Sequence, residues 1–144
     1  MSNARLEVKS NTERIESYGV AKNLIKNNWL FGAGIGNYTL AMQEELISDK
    51  DSWFYQPVHN TILLIWTEIG IFGLLSFLSL IGYLFFKWIK NYKTKKQWSL
   101  IMLPILTAII IMMVLDHWWW SLHFGILLFW FVLGLMLREK DVLT

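Results

Sequence analysis

Residues 56–75, QPVHNTILLIWTEIGIFGLL, decide the fold, because a polar loop here runs straight into a long apolar segment. From Thr61 to Phe86 the only charged side chain is that of Glu68. A segment of this length can cross the roughly 30 Å of hydrocarbon in a bilayer as one helix. We therefore predict that His59, the titratable residue just before the segment, lies at the boundary between water and lipid.

Two more apolar runs follow, one from Gln97 to Leu115 and one from Trp118 to Leu137. The chain is 55% hydrophobic over 144 residues, and a soluble domain of this size would not need so much apolar mass in such long runs. The sequence therefore predicts an all-α membrane protein that is the C-terminal part of a larger polytopic fold. Its membrane domain, about 59–137, is expected to contain three transmembrane helices, at about 60–86, 98–115 and 119–137.

The distribution of basic residues predicts the orientation of the chain. Five lysines occupy the connector 87–96 between the first two predicted spans, and two more cations follow the third span. Cationic connectors remain in the cytoplasm during insertion, so we expect residues 1–58 outside and the tail 138–144 in the cytoplasm. No apolar signal segment precedes Trp29, so either the first span acts as a reverse anchor or the chain is the tail of a longer polytopic protein. We favour the second explanation.

The outer segment, residues 11–58, is predicted to begin with an amphipathic helix. Ser10 and Glu13 have the spacing of a capping box, which places the helix at about 11–27, after a flexible or vector-derived N-terminus at 1–10. The apolar stripe of this helix is expected to contain Ile15, Tyr18, Ala21, Leu24 and Ile25.

Turns and one short helix are predicted for the remainder of the outer segment. Gly32, Gly34 and Gly36 alternate with other residues, a pattern that favours a tight, close-packed turn. A dinucleotide-binding loop is rejected, because no predicted strand precedes the glycines. A short helix is expected at 39–48, followed by a polar, aromatic loop at 49–55.

A polar stripe is predicted along one side of the first span, where ideal helix geometry places its members within about 120° of one another. Such a stripe should face protein or water rather than lipid. Glu68 in this stripe lies ~12 Å into the span. It is either a functional ionisable group or an interhelical hydrogen-bonding group, with a partner expected outside this chain. The members of the stripe are Asn60, Thr61, Thr67, Glu68, Ser79 and Gly82.

Two side chains of the outer segment are candidates for chemistry. The neutral imidazole of His59 can accept a proton near neutral pH, although a histidine before a helix can also simply bond to backbone. The guanidinium of Arg14 can bind a phosphate through two parallel hydrogen bonds, although it can also be a solvated charge in the first turn of its helix.

A third group, Asp116, His117 and His123, is expected at the outer end of the second and third spans. Its ligand set and spacing match no strong metal-binding pattern, so we interpret it as anchoring at the interface and predict no metal site. The chain has no cysteine, which excludes disulfides and thiolate metal sites. The lysine connector is flanked closely by spans, so no nucleic-acid binding is predicted.

The order of these features is similar to that of one family. The chain resembles, over residues 14–137, the C-terminal region of the O-antigen ligase and polymerase family, polytopic bacterial proteins that move glycans from undecaprenyl-diphosphate carriers. Trp29 stands where the family usually has proline, and members carry many more spans than three. The segments that carry the resemblance are Arg14, residues 30–38 (LFGAGIGNY), residues 57–60 (PVHN), residues 68–75 (EIGIFGLL) and residues 116–125 (DHWWWSLHFG).

The resemblance implies a metal-independent glycosyltransferase without cofactors, embedded in the bacterial inner membrane. It implies that His59 activates the acceptor hydroxyl and that Arg14 binds the carrier diphosphate, with Asn60, Glu68 and Asp116 in support. The implied partners are an undecaprenyl-diphosphate-linked glycan, a hydroxyl of an acceptor glycan, lipid or protein, the lipid bilayer, and upstream transmembrane helices of the parent protein. Without those helices, the fragment itself is expected to be inactive.

Two other functions remain open from the residues alone. The chain could be a non-catalytic membrane scaffold or accessory subunit, in which close helix contacts at Gly70, Gly73 and Gly82 matter more than His59. It could also be a piece of a channel or transporter in which Glu68 relays protons.

Overall fold

The computed structural model describes residues 3–46, 54–94 and 96–138. Within these ranges the chain forms helices and no strand, which confirms the all-α prediction. The helices are α1 (Asn3–Asn28), α2 (Tyr38–Leu46), α3 (Thr61–Lys90), α4 (Lys96–Leu115), α5 (Trp118–Ser121) and α6 (His123–Leu137).

Helix α1 is longer than predicted. It begins at Asn3, so the expected helix start at the Ser10 capping box is wrong, and the backbone of residues 3–10 continues the helix. The predicted end near residue 27 is confirmed within one residue. A helix needs no cap at Ser10 when the chain before it is already helical, because the backbone N–H groups there have carbonyl partners one turn earlier.

The buried face of α1 differs from the predicted stripe. Ser17, Val20, Ala21 and Leu24 are buried, at the i, i+3, i+4 and i+7 positions of one helical face. Ile15, a predicted member, is 71% exposed. Contacts with the rest of the chain select this face, because the hydroxyl of Tyr38 donates a hydrogen bond to the carbonyl of Ser17 at 3.3 Å.

Helix α2 confirms the short helix predicted near 39–48. Its buried residues, Tyr38 and Met42, are one turn apart and therefore point the same way. They pack with the buried residues of α1 and with Val58 and Leu64 in one apolar cluster, the outer cluster. The last two residues of the predicted helix and most of the predicted loop 49–55 lie outside the described residues.

Helix α3 begins where the sequence predicts, because Asn60 caps it. Asn60 has an extended backbone (φ −165°, ψ 111°), and its side-chain oxygen accepts a hydrogen bond from the N–H of Leu63 at 3.0 Å. This contact satisfies one of the unpaired donors at a helix start. The side-chain amide of Asn60 also donates to the carbonyl of Val114 at 3.0 Å, which ties the start of α3 to the end of α4.

An interruption in α3 occurs at Gly70, whose φ of 68° and ψ of −173° are not helical. This backbone conformation is essentially restricted to glycine. A Cβ atom added to Gly70 would also lie 2.1 Å from the carbonyl oxygen of Leu30. The interruption removes helical partners from the carbonyls of Thr67 and Glu68 and from the N–H of Ile71.

Residues 29–36, the glycine loop, supply the missing partners. The loop crosses α3 at the interruption so closely that a Cβ added to Gly32 would lie 2.3 Å from the carbonyl carbon of Glu68. All three glycines of the loop have positive φ, between 73° and 103°, which confirms the predicted tight, close-packed turn. The hydrogen bonds run from Ala33 N–H to the Thr67 carbonyl (2.8 Å), from Gly34 N–H to the Glu68 carbonyl (2.9 Å) and from Ile71 N–H to the Trp29 carbonyl (2.9 Å).

The same interruption divides the polar stripe predicted along α3. Thr61, Thr67 and Glu68, before the interruption, are buried against protein as expected. Ser79, after it, is exposed. The single stripe was predicted from the geometry of one continuous helix, and the non-helical backbone of Gly70 separates these residues.

Helices α3 and α4 contain 30 and 20 residues and are long and apolar enough to cross a membrane. The third apolar run is not the single helix predicted at 119–137. It is divided at Leu122, whose backbone is extended, and α6 has 15 residues. These residues rise only ~22 Å, so a third span stays a prediction.

A close contact explains why the third run is divided. A Cβ added to Gly125 would lie 2.1 Å from the carbonyl oxygen of Trp118, so the glycine lets α5 fold back against the start of α6. Trp120 of α5 packs against both the outer cluster and the apolar core that α3, α4 and α6 share. That bundle core includes Phe77, Leu84, Leu106, Met113, Phe129 and Leu133.

Gly70→Ala is expected to destabilise the fold by at least about 1–3 kcal/mol, the usual cost of a residue held in a glycine-only conformation. The clash of its Cβ with the Leu30 carbonyl adds to this cost. Thermal unfolding of the purified chain in detergent, followed by circular dichroism, measures the effect.

Gly82→Ala is the matched control for Gly70→Ala, because a Cβ there meets nothing within 4 Å. Alanine is better than glycine inside a helix by roughly 0.5–1 kcal/mol, so this variant should equal or exceed the wild type in stability. Equal melting temperatures for the two variants would contradict the structural importance of the interruption.

Candidate active site

The loop before α3 presents His59 from a fixed backbone. Val58 on one side of it is fully buried, and Asn60 on the other caps α3. The hydroxyl of Tyr18, on α1, donates a hydrogen bond to the carbonyl of His59 at 3.2 Å. The imidazole is half-buried, so it is held by its surroundings and still reaches water.

Asp116, in the turn between α4 and α5, lies beside this imidazole. One of its carboxylate oxygens, Oδ1, is 3.4 Å from Nδ1 of His59 and accepts a hydrogen bond from the N–H of His117 at 2.7 Å. The hydroxyl of Thr61 donates to the backbone carbonyl of Asp116 at 2.7 Å. The turn is therefore attached to the start of α3 by side chain and backbone together.

The contact between Asp116 and His59 determines which imidazole nitrogen carries the hydrogen. An ionised carboxylate can only accept, so Nδ1 of His59 is the protonated nitrogen when it bonds to Asp116. The lone pair then lies on Nε2, the nitrogen on the other side of the ring. A carboxylate that holds a histidine in this tautomer is the arrangement found beside general bases.

His117 is the second imidazole of the site, with its ring centroid 5.2 Å from that of His59. Its side chain is largely buried, and burial lowers the pKa of His117 below the ordinary value of 6.5, more than the neighbouring Asp116 raises it. Burial disfavours the charged form of an imidazole. His117 is therefore neutral at neutral pH.

A pocket of about 110 Å³ opens beside His59 and reaches α1. Arg14 and Glu13 of α1 line it, together with Gln56 and Pro57 from the loop before α3. Arg14 and His59 are 45 positions apart in the sequence, and the docking of α1 brings them to the same pocket. The side chain of Arg14 is exposed, so a ligand in the pocket can reach it from solvent.

Glu68 has a partner within the chain, contrary to the sequence prediction. Its carboxylate accepts a hydrogen bond from Nε1 of Trp120 at 2.8 Å, and Glu68 is only 5% exposed. The prediction was wrong because α5 brings Trp120 against α3, a contact between distant segments that no local pattern indicates. Glu68 does not line the pocket with Arg14.

The predicted cluster of Asp116, His117 and His123 is brought together only in part. His123 begins α6 and is exposed, and His59 takes its place beside the other two. One ligand atom from each of His59, Asp116 and His117 lies within 4.8 Å of the others. Among the described residues, these three have donor atoms close enough together to share one metal ion.

Sequence reasoning missed two residues of the site. Tyr18 was assigned to the apolar stripe of α1, yet its hydroxyl bonds to the backbone of His59. Ser121 was not singled out, yet its Oγ is 2.5 Å from Nδ1 of His117. The four-residue spacing of His117 and Ser121 is compatible with one helical turn, but nothing else in the sequence indicates the contact.

Comparison with known proteins confirms the resemblance found in the sequence. Residues 1–78 match the family model for O-antigen ligase. The chain is 31% identical over 111 residues to the teichuronic acid biosynthesis protein TuaE of Bacillus subtilis strain 168. That alignment covers 71% of this chain and 22% of the relative, so the chain spans about a fifth of its length. No solved structure matches the chain.

The stability of the chain is expected to fall as the pH drops below about 6.5, the pKa of an unfolded histidine. The pKa of folded His117 is lower, so in this range the unfolded chain binds a proton that the folded chain does not. The contribution of His117 to stability is fully present above pH 6.5 and is lost as the pH falls through the lowered pKa of the folded state.

Melting temperatures between about pH 5 and 8 measure this dependence. His117→Gln should flatten it, whereas the matched control His123→Gln, at an exposed position, should leave it unchanged. An identical pH profile for wild type and His117→Gln would contradict a buried, neutral His117.

Proposed function

The chain belongs to the O-antigen ligase family, and from this premise we propose that it forms the acceptor-activating part of a membrane glycosyltransferase. The proposed enzyme moves a glycan from an undecaprenyl-diphosphate carrier to a hydroxyl of an acceptor glycan, lipid or protein. The family match over residues 1–78 supports this proposal, since those residues include the pocket and both of its candidate functional side chains.

One observation carries the proposal: Arg14 and His59 line one pocket. Transfer from a glycosyl diphosphate needs an acceptor held close to the sugar, a base for the acceptor proton and cations for the departing diphosphate. The imidazole of His59 can serve as the base, and the guanidinium of Arg14 can serve as the cation. Both side chains line one water-accessible pocket.

The proposed base is Nε2 of His59. With Nδ1 bonded to Asp116 at 3.4 Å, Nε2 has the lone pair that can accept a proton from the acceptor hydroxyl. The acceptor oxygen forms its bond to the anomeric carbon, and the bond from that carbon to the diphosphate oxygen breaks. His59 becomes an imidazolium, and the adjacent carboxylate of Asp116 stabilises its positive charge.

The proposed ligand of the departing diphosphate is Arg14. Its guanidinium presents parallel donors that match phosphate oxygens in pairs and remains charged at every relevant pH. Negative charge develops on the diphosphate as the glycosidic bond breaks. A fixed cation there stabilises the transition state more than the ground state, which is the condition for catalysis.

In this proposal the pocket faces the outside of a bacterial inner membrane. Helices α3 and α4 cross the bilayer, with the lysine connector and the C-terminus in the cytoplasm, as the positive-inside rule favours. Further transmembrane helices complete the carrier groove, since the relative is several times longer than this chain. The isolated chain is accordingly proposed to be inactive in transfer.

His59→Ala is expected to lower glycan transfer by roughly 10²–10⁴-fold, the usual contribution of a general base. The complete protein that contains this chain is assayed in membranes with a lipid-linked glycan donor and a defined acceptor. The matched control His123→Ala, whose side chain is exposed and outside the pocket, should retain full activity. Normal transfer by His59→Ala would instead favour the non-catalytic scaffold.

Arg14→Lys is expected to reduce transfer at least tenfold although the charge is kept, because an ammonium cannot form the paired hydrogen bonds of a guanidinium. Arg138→Lys, at the far end of α6, is the matched control and should not change the rate. The same assay reads both variants, and an unchanged rate for Arg14→Lys would remove Arg14 from the site.

A further inference from the structure

Three potential metal-ligand atoms converge near the starts of α3 and α5. They are Oδ1 of Asp116, Nδ1 of His59 at 3.4 Å from it, and Nε2 of His117 at 3.6 Å from it. We propose that His59, Asp116 and His117 bind a divalent transition-metal ion such as Zn²⁺, and that the bound ion blocks His59 as a base. The binding stands by itself, whereas the effect on transfer rests on the proposed function.

Ser121 is placed to support the tautomer of His117 that such a site requires. The hydroxyl of Ser121 is within donating distance of the carbonyl of His117, at 3.1 Å. When it donates there, its oxygen accepts a hydrogen bond from Nδ1 of the imidazole. In that tautomer the lone pair of Nε2 is on the side of Asp116.

The lone pair of Nε2 consequently meets an acceptor rather than a donor. A carboxylate oxygen at 3.6 Å also offers only lone pairs. Two acceptors facing each other are stabilised when a cation lies between them. Metal-binding histidines commonly have their other ring nitrogen bonded in the way that Ser121 bonds His117, which orients the ring toward the ion.

The spacing of the donor atoms is close to that of a tetrahedral zinc site. Zn–N and Zn–O distances of about 2.0–2.2 Å imply separations of roughly 3.3–3.5 Å between ligand atoms. The separations of 3.4 and 3.6 Å are close to this value, and each of the three residues offers a ligand atom within 4.8 Å of the other two. An adjustment of one side chain would bring the three ligand atoms to three corners of a tetrahedron.

The donor set selects the kind of ion. Two imidazoles and one carboxylate suit Zn²⁺, Co²⁺, Ni²⁺ and Cu²⁺. Mg²⁺ and Ca²⁺ prefer sites made of oxygen ligands, so they should not compete. The site is reachable, because the side chain of His59 is 27% exposed and borders the pocket.

Binding of the ion would change the tautomer of His59. Coordination through Nδ1 requires the lone pair of that nitrogen, so the hydrogen leaves Nδ1 and the neutral ring carries it on Nε2. The nitrogen that faces the acceptor then has a hydrogen and no lone pair. His59 cannot accept a proton in this state, and no net proton is gained or lost by the ring.

Titration of the purified, untagged chain in nanodiscs with Co²⁺ tests the binding. Co²⁺ in a tetrahedral nitrogen and oxygen site absorbs visible light, and the chain has three histidines and no cysteine, so His123 is the only other imidazole or thiol ligand. We expect saturation at one Co²⁺ per chain, displacement by Zn²⁺, and no competition from excess Mg²⁺.

Variants separate this site from incidental binding. His117→Gln and Asp116→Asn should each weaken Co²⁺ binding at least tenfold, while the matched control His123→Gln should bind as the wild type does. Ser121→Ala should weaken binding with all three ligands present, and helical circular dichroism should show each variant folded. Absence of saturable absorption, equal binding by His117→Gln, or loss of binding in His123→Gln would overturn the proposal.

Transfer by the complete protein distinguishes this proposal from the proposed function. Zn²⁺ should inhibit the wild type, and His117→Gln should require at least tenfold more Zn²⁺ for the same inhibition. Transfer that continues with the site saturated would refute His59 as the base and the blocking effect, while Co²⁺ binding would still establish the metal site.

Discussion

The interruption of α3 at Gly70 determines how the rest of the molecule is arranged. Backbone N–H and C=O groups in an apolar environment must be paired, and a helix interrupted within a long apolar segment leaves several of them without helical partners. The glycine loop supplies those partners through three hydrogen bonds, between 2.8 and 2.9 Å long, to Thr67, Glu68 and Ile71. The segment before α3 is therefore attached to α3, and because the loop follows directly after α1, it also fixes the C-terminal end of α1.

That unit holds His59 from several directions. The segment of α3 before Gly70 begins at the Asn60 cap, directly after His59, and Tyr18 of α1 bonds to the carbonyl of His59. The turn after α4 adds Asp116, and one turn further Trp120 reaches down to the carboxylate of Glu68. Since Trp120 packs in both apolar clusters, the outer segment and the helix bundle meet at the site itself.

The sequence predicts the parts of this fold that depend on local signals. Apolar runs locate α3 and α4, Asn60 marks the start of α3, and alternating glycines indicate a tight turn. The predictions that are wrong depend on contacts between distant segments. The buried face of α1 contains Ser17 and not Ile15. The interruption of α3 is accommodated because the glycine loop supplies the missing hydrogen-bond partners. The family resemblance implies a role for each of Arg14 and His59, but no pattern in either segment indicates that they line one pocket.

The neutrality of His117 bears on what Asp116 can do for His59. Two imidazoles with ring centroids 5.2 Å apart share one carboxylate, and two positive charges at that distance would repel each other. Burial lowers the pKa of His117 and keeps it neutral. In the proposed reaction, the negative charge of Asp116 is then left to stabilise a single imidazolium, the one on His59. Because His117 is buried and His59 is more exposed, the carboxylate serves the ring that borders the pocket.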